Sequence, residues 1–446
     1  MIVVAGAGPA GLAAAWRAAR AGHEVTVVER ADHVGGMAAS FEVAGLRVDH
    51  GSHRLHPATS APILGALRHL LGDDLQERPR NGRIRLLDRW VAFPLQPGDL
   101  LRHAPRRFAL AAARDAALGP FRRPRADTFA EVIRAGLGPA VLDAFYGPYA
   151  TKLWGTDASQ LDGELARRRV SAGSAGAITR RLLGKQRGRT FLYPRRGFGA
   201  IVDALADAAV SAGATIRLGT AVDDPKVGDG ELRVELSDGT SLDTPQLWST
   251  LPLTALAPDP PSKPLQHRAM VLLYMVLDQP RWTTFDAHYF PGPEVSASRL
   301  SEPRNYRDSA DDPADVTVLC AEIPCWPGDD LWQADDAVLA ERLVEELAAA
   351  GLPPVRPTAV ESRRLAHVYP VYRPGFRADL AALEAWAGSV PGLITFGRQG
   401  LFTPDNTHHA LAMGWAAAAA LGDDGTFDAS AWVAARDGFR DFVVED

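Results

Sequence analysis

Cysteine is scarce in this chain of 446 residues: there are two, Cys320 and Cys325, with no histidine cluster beside them. That excludes a disulfide framework and a cysteine-based zinc centre, leaves two small strand or core residues, and gives no metal site. Long apolar runs are missing as well. The longest, such as Trp415 to Leu421, fall far short of the roughly 20 residues needed to span a bilayer. No basic leader stands between Met1 and the apolar stretch Ile2 to Ala5, so a soluble, cytoplasmic protein is the expectation. Repeats and low-complexity tracts are lacking too, and Pro258 to Pro264 reads as a loop. What is present is an ordinary globular composition, 46% apolar and 23% charged. The length suits roughly two to three domains and a large core.

Charge is unevenly spread. The net value is −6, yet residues 101–200 hold 19 Lys and Arg against 7 Asp and Glu, a local +12 that leaves −18 elsewhere. Such a block suits an anionic or phosphate-bearing small-molecule substrate, or contact with an acidic surface; Arg-rich helices solvating their outer faces would produce the same count. Leu100 to Arg125 has the pattern of an amphipathic basic helix, which suits contact with a membrane surface. Nucleic acid is not an expected partner, because no recognition motif and no interleaving of aromatic with basic residues is present. Nothing in the sequence specifies an oligomeric state.

The first thirty residues carry the clearest chemistry. Ile2 to Ala5 reads as a buried parallel strand, Gly6-Ala7-Gly8-Pro9-Ala10-Gly11 as a turn, and Leu12 to Ala21 as a helix ended by Gly22. A second strand, Glu24 to Val28, closes on Glu29. In this arrangement Gly6 makes the tight turn, Gly8 lets the backbone approach a pyrophosphate, and Gly11 lets helix and strand pack closely. The helix N-terminus offers free N–H groups and a positive dipole end to phosphates, and Glu29 is spaced to accept ribose hydroxyls. A lone glycine motif would be weak evidence. With strand, helix, strand and acid in order, it identifies a dinucleotide-binding unit.

Further segments carry a resemblance. After Glu29 comes Arg30, then Gly35-Gly36-Met37-Ala38, similar to the second glycine pair of flavoproteins with two dinucleotide-binding domains, which implies FAD and not NAD. Asp49 to His56 (Asp-His-Gly-Ser-His-Arg-Leu-His) resembles the Gly-x-His-x-x-His stretch of UDP-galactopyranose mutases. Tyr146 to Gly155, with Lys152 and Trp154, resembles their Tyr-Thr-x-Lys-x-Trp-Gly segment, and Gly397-Arg398-Gln399-Gly400 their C-terminal FAD-binding segment. Arg299 to Pro303, Tyr369 to Tyr372 and Gly397 to His409 are similar to a mutase-related branch often labelled protoporphyrinogen-oxidase-like. The wider superfamily also contains phytoene desaturases and monoamine oxidases.

The resemblance implies an α/β fold: a discontinuous, Rossmann-like FAD-binding domain of residues 1–75, 190–255 and 385–446. Residues 76–189 and 256–384 are then mixed α+β insertions that bind substrate. Within them Arg83 to Phe93 reads as strand-like, Met270–Leu277 and Val316–Glu322 as strands, and Ala337–Ala350 as a helix. The cofactor residues it implies are Gly6, Gly8, Pro9, Ala10, Gly11, Glu29, Arg30, Gly35, Gly36, Met37, Ala38, His53, Val222, Gly397, Arg398 and Met413. His53, Trp154 and Arg299 are the implied catalytic residues, although His53 could cap a turn, Trp154 could be core, and Glu302 could pair with Arg299. One of Arg167, Arg168 and Arg169 falls where the mutases bind substrate. Phe402, Thr403 and Pro404 stand where the mutases carry nucleotide-gripping tyrosines, which disfavours UDP-galactopyranose itself. The expected activity is hydride transfer from a small organic substrate to flavin N5. The alternatives are a non-redox, mutase-like reaction on a sugar derivative through reduced flavin, and flavin binding without turnover.

Overall fold

Four β-branched or small apolar residues, Ile2 to Ala5, form a strand (β1) with every side chain buried, as a strand covered on both faces requires. A helix (α1, Pro9–Arg20) follows, with proline at its start, where the missing N–H costs nothing. The chain then returns in a second strand (β2, Val25–Val28) parallel to β1. The computed structural model describes residues 1–170, 190–227, 232–257 and 265–444. The loop expected at Pro258 to Pro264 and the end of the basic block, residues 171–189, lie outside them.

β1 and β2 lie inside a five-stranded sheet ordered Leu393–Thr395, Gln246–Ser249, β1, β2, Thr215–Arg217, parallel throughout. The alanine-rich face of α1 packs between the helices Ala200–Ser211 and Thr407–Ala419. A second, seven-stranded sheet is ordered Ala359–Pro370, His267–Leu277, Thr317–Cys325, Arg299–Ser301, Ala287–Tyr289, Gly82–Leu86, Arg89–Phe93. Its pairings are antiparallel except where Ala287–Tyr289 runs parallel to Gly82–Leu86. His267–Leu277 and Thr317–Cys325 are buried at every position, because helix Asp336–Ala349 covers one face and the strand pair Ser40–Val43 and Leu46–Asp49 the other.

Two expectations change. Arg83 to Phe93 is a hairpin, turned at Leu87 and Asp88, both with positive φ. Leu100 to Arg125 is two helices, Pro97–His103 and Arg106–Leu118; Pro105 cannot donate the bond that would continue the first. The apolar run from Trp415 overlaps the end of a helix that begins at Thr407, where Asn406 and His409 form reciprocal caps. Cys320 and Cys325 are free and buried on one strand.

No helix among the described residues is long and apolar enough to cross a membrane. Several histidine rings are buried, and two of them, His267 and His288, lose much of their basicity. His267 lies against Phe402 and His367, and His288 sits among Trp90, Trp282 and Phe285. Burial pushes both pKa values down from 6.5 to about 3. The unfolded chain therefore takes up protons near pH 6.5 that the folded rings refuse until about pH 3. Stability from these sites is complete above pH 6.5 and is lost as pH falls through that window. Between pH 6.5 and 4.5 each ring should cost about 1.4 kcal/mol per pH unit. Thermal unfolding at several pH values should show a shallower acid decline for His288→Phe than for the native chain; parallel declines would refute the assignment.

Candidate active site

The glycine turn after β1 is built around close contacts. Gly6 has φ +101, and a Cβ there would lie 2.3 Å from Thr250 Oγ1. A Cβ on Gly11 would lie 2.0 Å from the Gly6 carbonyl oxygen. Gly8 differs: a Cβ there would meet nothing within 4 Å, so its surface faces open space at the N-terminus of α1. No side chain caps that helix end, and its N–H groups and positive dipole point outward. Gly36 lies alongside, with Gly8 Cα its nearest neighbour. The Glu29 carboxylate accepts the N–H groups of Ala7 (2.8 Å) and Ala31 (3.0 Å), and its remaining lone pairs stay available to hydroxyl donors. Arg30 is exposed, Met37 half-buried and Ala38 buried beside it. Val222 follows Thr220, whose N–H binds the Glu29 carbonyl. Gly397 would place a Cβ 3.1 Å from the Ala10 methyl, bringing the C-terminal segment onto the same turn. Met413 is wholly enclosed in the core behind it.

These residues fit a dinucleotide bearing a flavin: an open glycine surface for the pyrophosphate, a helix N-terminus, a fixed carboxylate for the ribose. Orphaned polar atoms extend the fit. Arg398 Nε and both oxygens of the buried Asp405 carboxylate have no hydrogen-bond partner. Arg398 gives its other donors to the backbone carbonyls of Asp405 and Val368.

Loop 49–56 leads from this cradle to the second sheet. Asp49, buried, accepts from Ser40 Oγ, Tyr193 Oη and the Phe198 amide. Ser52 N–H donates to Glu322 Oε1 at 2.8 Å. The His53 ring stacks on Phe198 and uses Nε2 to reach the His50 carbonyl at 3.0 Å. Burial pushes its pKa down, against the pull of Asp49 and Glu322, so the ring is neutral. Arg54 turns inward to Asp286 at 3.2 Å and to Tyr289 Oη at 3.1 Å. His56 is buried and accepts the Ala58 N–H through Nδ1.

Arg299 does not pair with Glu302. Its Nε and Nη2 engage the two oxygens of Glu322 at 2.9 and 2.8 Å, and Nη2 also reaches the Ser52 carbonyl. Glu302 instead caps Trp282 and Thr283 amides and accepts from Thr317. Sequence reasoning missed Glu322. The signal was there, a single carboxylate inside the apolar strand Thr317–Cys325.

Trp154, at the end of helix Gly147–Trp154, is 2% exposed, packs on Phe129 and faces Tyr369, and its Nε1 has no partner. Lys152 lies on the same helix but points away, donating to the carbonyls of Phe290, Val295 and Ala297; burial lowers its pKa to about 8. The three adjacent arginines separate cleanly. Arg167 pairs with exposed Asp127, and Arg168 is buried against Glu164. Arg169 lies 5.6 Å from both the Trp154 and Tyr369 rings with no carboxylate partner among the described residues. Arg398 also sits over Tyr369, at 5.7 Å. Thus Trp154, Arg169, Tyr369 and Arg398 are brought together, His53 and Arg299 share Glu322 as neighbour, and Lys152 and Arg54 belong to other contacts.

A βαβ dinucleotide cradle joined to a largely antiparallel seven-stranded sheet, with an aromatic and cationic cluster at the junction, defines a flavoprotein with FAD as its cofactor. The sequence signature described as flavin containing amine oxidoreductase matches residues 9–387, and the chain belongs to that family. A Mycobacterium tuberculosis relative, named as a flavin-containing monoamine oxidase, is 44% identical over 82 residues, which is 18% of this chain and 18% of its own length. Phytoene dehydrogenase of Streptomyces griseus is 56% identical over 50 residues, 11% of this chain and 10% of its own. The chain therefore aligns with less than a fifth of these curated relatives. Likeness of fold extends further. Reduced UDP-galactopyranose mutase superposes with a TM-score of 0.80 at 21% identity, covering 97% of this chain and 98% of the other. Cyclohexylamine oxidase of Brevibacterium oxydans gives 0.68 at 17% identity, covering 94% and 98%.

Two glycine substitutions separate cofactor binding from folding. Gly8→Val should fold with native circular dichroism yet weaken FAD binding about a hundredfold, since its side chain enters the pyrophosphate space. Gly11→Ala should destabilise the fold itself, because its methyl meets the Gly6 backbone. Full flavin content in purified Gly8→Val would place the pyrophosphate elsewhere.

Proposed function

We propose that the chain is an FAD-dependent oxidoreductase that removes hydride from a C–H bond of a small anionic organic molecule held beside Trp154, Tyr369 and Arg169. Bound FAD supplies the electron sink, accepting hydride at N5 from carbon next to nitrogen, oxygen or a conjugated system. Membership of the amine oxidoreductase family supports the redox class. The observation that carries the charge of the substrate is Arg169, a half-buried cation between two aromatic rings without a carboxylate among the described residues. Trp154 and Tyr369 supply apolar walls that exclude water. With Nε2 donating to the His50 carbonyl, neutral His53 keeps Nδ1 as an acceptor for a substrate proton. Arg299, already engaged by Glu322, acts as a positioning residue for loop 49–56.

The domain assignment belongs to the same reading: a Rossmann-like FAD domain of residues 1–75, 190–255 and 385–446, carrying 76–189 and 256–384 as insertions. Strand membership supports it. The parallel sheet draws every strand from the first set and the seven-stranded sheet from the second; only the pair Leu75–Pro79 and Thr190–Pro194 straddles a boundary.

A second reading is a mutase-type, non-redox reaction on a sugar derivative. Arg169 and Arg398 favour it, because two cations over one tyrosine suit a phosphorylated sugar. Buried Phe402, stacked on Tyr372, offers no hydroxyl to a nucleotide diphosphate.

Anaerobic reduction of the purified enzyme followed by admission of air separates the two. We expect prompt reoxidation; a reduced flavin that persists in air and turns over sugar phosphates would replace the first reading with the second. The anion site has its own measurement. Titrating the oxidised enzyme with pyrophosphate or benzoate and following the flavin spectrum, Arg169→Ala should weaken binding about 10- to 100-fold. Arg167→Ala, on the Asp127 surface pair, should not. Equal affinity in all three proteins would remove Arg169 from the site.

A further inference from the structure

We propose that the outer face of helix Arg106–Leu118 and the turn Gly119–Phe121 docks on an anionic lipid surface. One side of this helix is committed to the protein. Phe108 joins a cluster with Phe93, Leu95, Leu100 and Phe145. Asp115 is buried, pairs with Arg122 and caps the Ala140 amide. The opposite side is open. Leu110, Leu118 and Phe121 are 72%, 42% and 84% exposed, and Leu110, Ala113, Ala117 and Phe121 follow at intervals of three and four, one helical stripe. A single exposed leucine is ordinary; three large apolar side chains on one short segment form a patch that calls for a partner.

The surroundings specify the partner. Arg106, Arg107 and Arg114 lie on the same helix, with Arg102 before it and Arg123 and Arg125 after it, and none has a carboxylate partner among the described residues. Of the acidic side chains nearby, Asp115 is taken by Arg122, Asp99 by His103, Asp127 by Arg167 and Glu131 by Arg134, which leaves exposed Asp143 against six arginines. An apolar stripe bordered by uncompensated arginines complements a surface with anionic headgroups over hydrocarbon. The stripe enters between the headgroups while the arginine stems reach outward to the phosphates. Nucleic acid fits less well, because base stacking needs aromatic side chains and the stripe is mainly aliphatic, with Phe121 its one ring.

Flotation of the purified holoenzyme with vesicles tests this. Vesicles of phosphatidylcholine containing phosphatidylglycerol should carry the protein upward at low salt and release it as salt rises. Vesicles of phosphatidylcholine alone should not. Leu110→Ser with Phe121→Ser, and separately Arg106→Glu with Arg107→Glu, should each lower partitioning about tenfold or more while keeping the flavin absorbance. Arg440→Glu, on an exposed helix far along the chain, should leave it unchanged. A solvatochromic dye on Phe121→Cys should shift to the blue with anionic vesicles, the two native cysteines being buried. Absence of flotation with anionic vesicles, flotation of both double variants equal to that of the native enzyme, or binding to single-stranded RNA but not to vesicles would each overturn the proposal.

Discussion

An ionised carboxylate enclosed by protein is tolerated only where cations and N–H donors replace its lost water, and Glu322 meets that condition in a way that organises its surroundings. Its two oxygens hold Arg299 in a forked pair and Oε1 also takes the Ser52 amide. Arg299 in turn reaches the Ser52 carbonyl. The loop that leaves the cofactor cradle is thus fastened by both of its backbone polar groups at one residue to the middle of the seven-stranded sheet. Asp49 does the complementary work at the start of the loop, drawing Ser40, Tyr193 and Phe198 to one carboxylate. Between these two anchors His53 has little freedom, and its neutral ring follows from that enclosure.

The arginines then fall into two physical classes. Arg54 and Arg299 are enclosed and charge-balanced, by Asp286 and Glu322. Arg169 and Arg398 have no carboxylate ion pair among the described residues, and burial, with Arg169 nearby, pushes the pKa of Arg398 down. A fold keeps unbalanced guanidinium groups near one another when something else brings the negative charge. In the proposed function the cofactor phosphates and an anionic substrate bring it. The basic block of residues 101–200 is accordingly not one feature. Part of it is spent in ordinary surface pairs, part borders the site, and part covers an exposed helix.

Much of this was legible in the sequence, for identifiable reasons. The βαβ cradle was readable because each glycine has a separate steric task and the spacing to Glu29 is set by helix and strand lengths. Trp154 and Arg398 were placed by resemblance to known motifs, and both meet at Tyr369. Side-chain direction was harder to read. Nothing in the run Lys152-Leu153-Trp154 shows that helical rotation sends Lys152 to three backbone carbonyls and Trp154 to Tyr369. Likewise Arg167, Arg168 and Arg169 are equivalent as text, and about 100° of rotation per residue separates a surface pair, a buried pair and a cation over Trp154 and Tyr369. Glu322 was hidden because its partner Ser52 lies 270 positions away, and local pattern carries no information about such pairs.

Several of the buried polar atoms that lack a hydrogen-bond partner gather at one segment. Arg398 Nε, the Asp405 carboxylate, Thr403 Oγ1, His267 Nε2 and Trp154 Nε1 belong to the segment 397–409 or to side chains near it. A buried polar group without a hydrogen bond costs about 1–3 kcal/mol, a penalty that the proposed cofactor and substrate contacts would offset at this segment. Groups that supply phosphate oxygens, hydroxyls or a carboxylate there remove part of the penalty and thereby favour the folded state as they bind. On the proposed reading, affinity for FAD and stability of the C-terminal segment rise together. The helix Thr407–Ala419, which begins beside Asp405 and packs along α1, would carry the effect of a ligand at that end into the core of the parallel sheet.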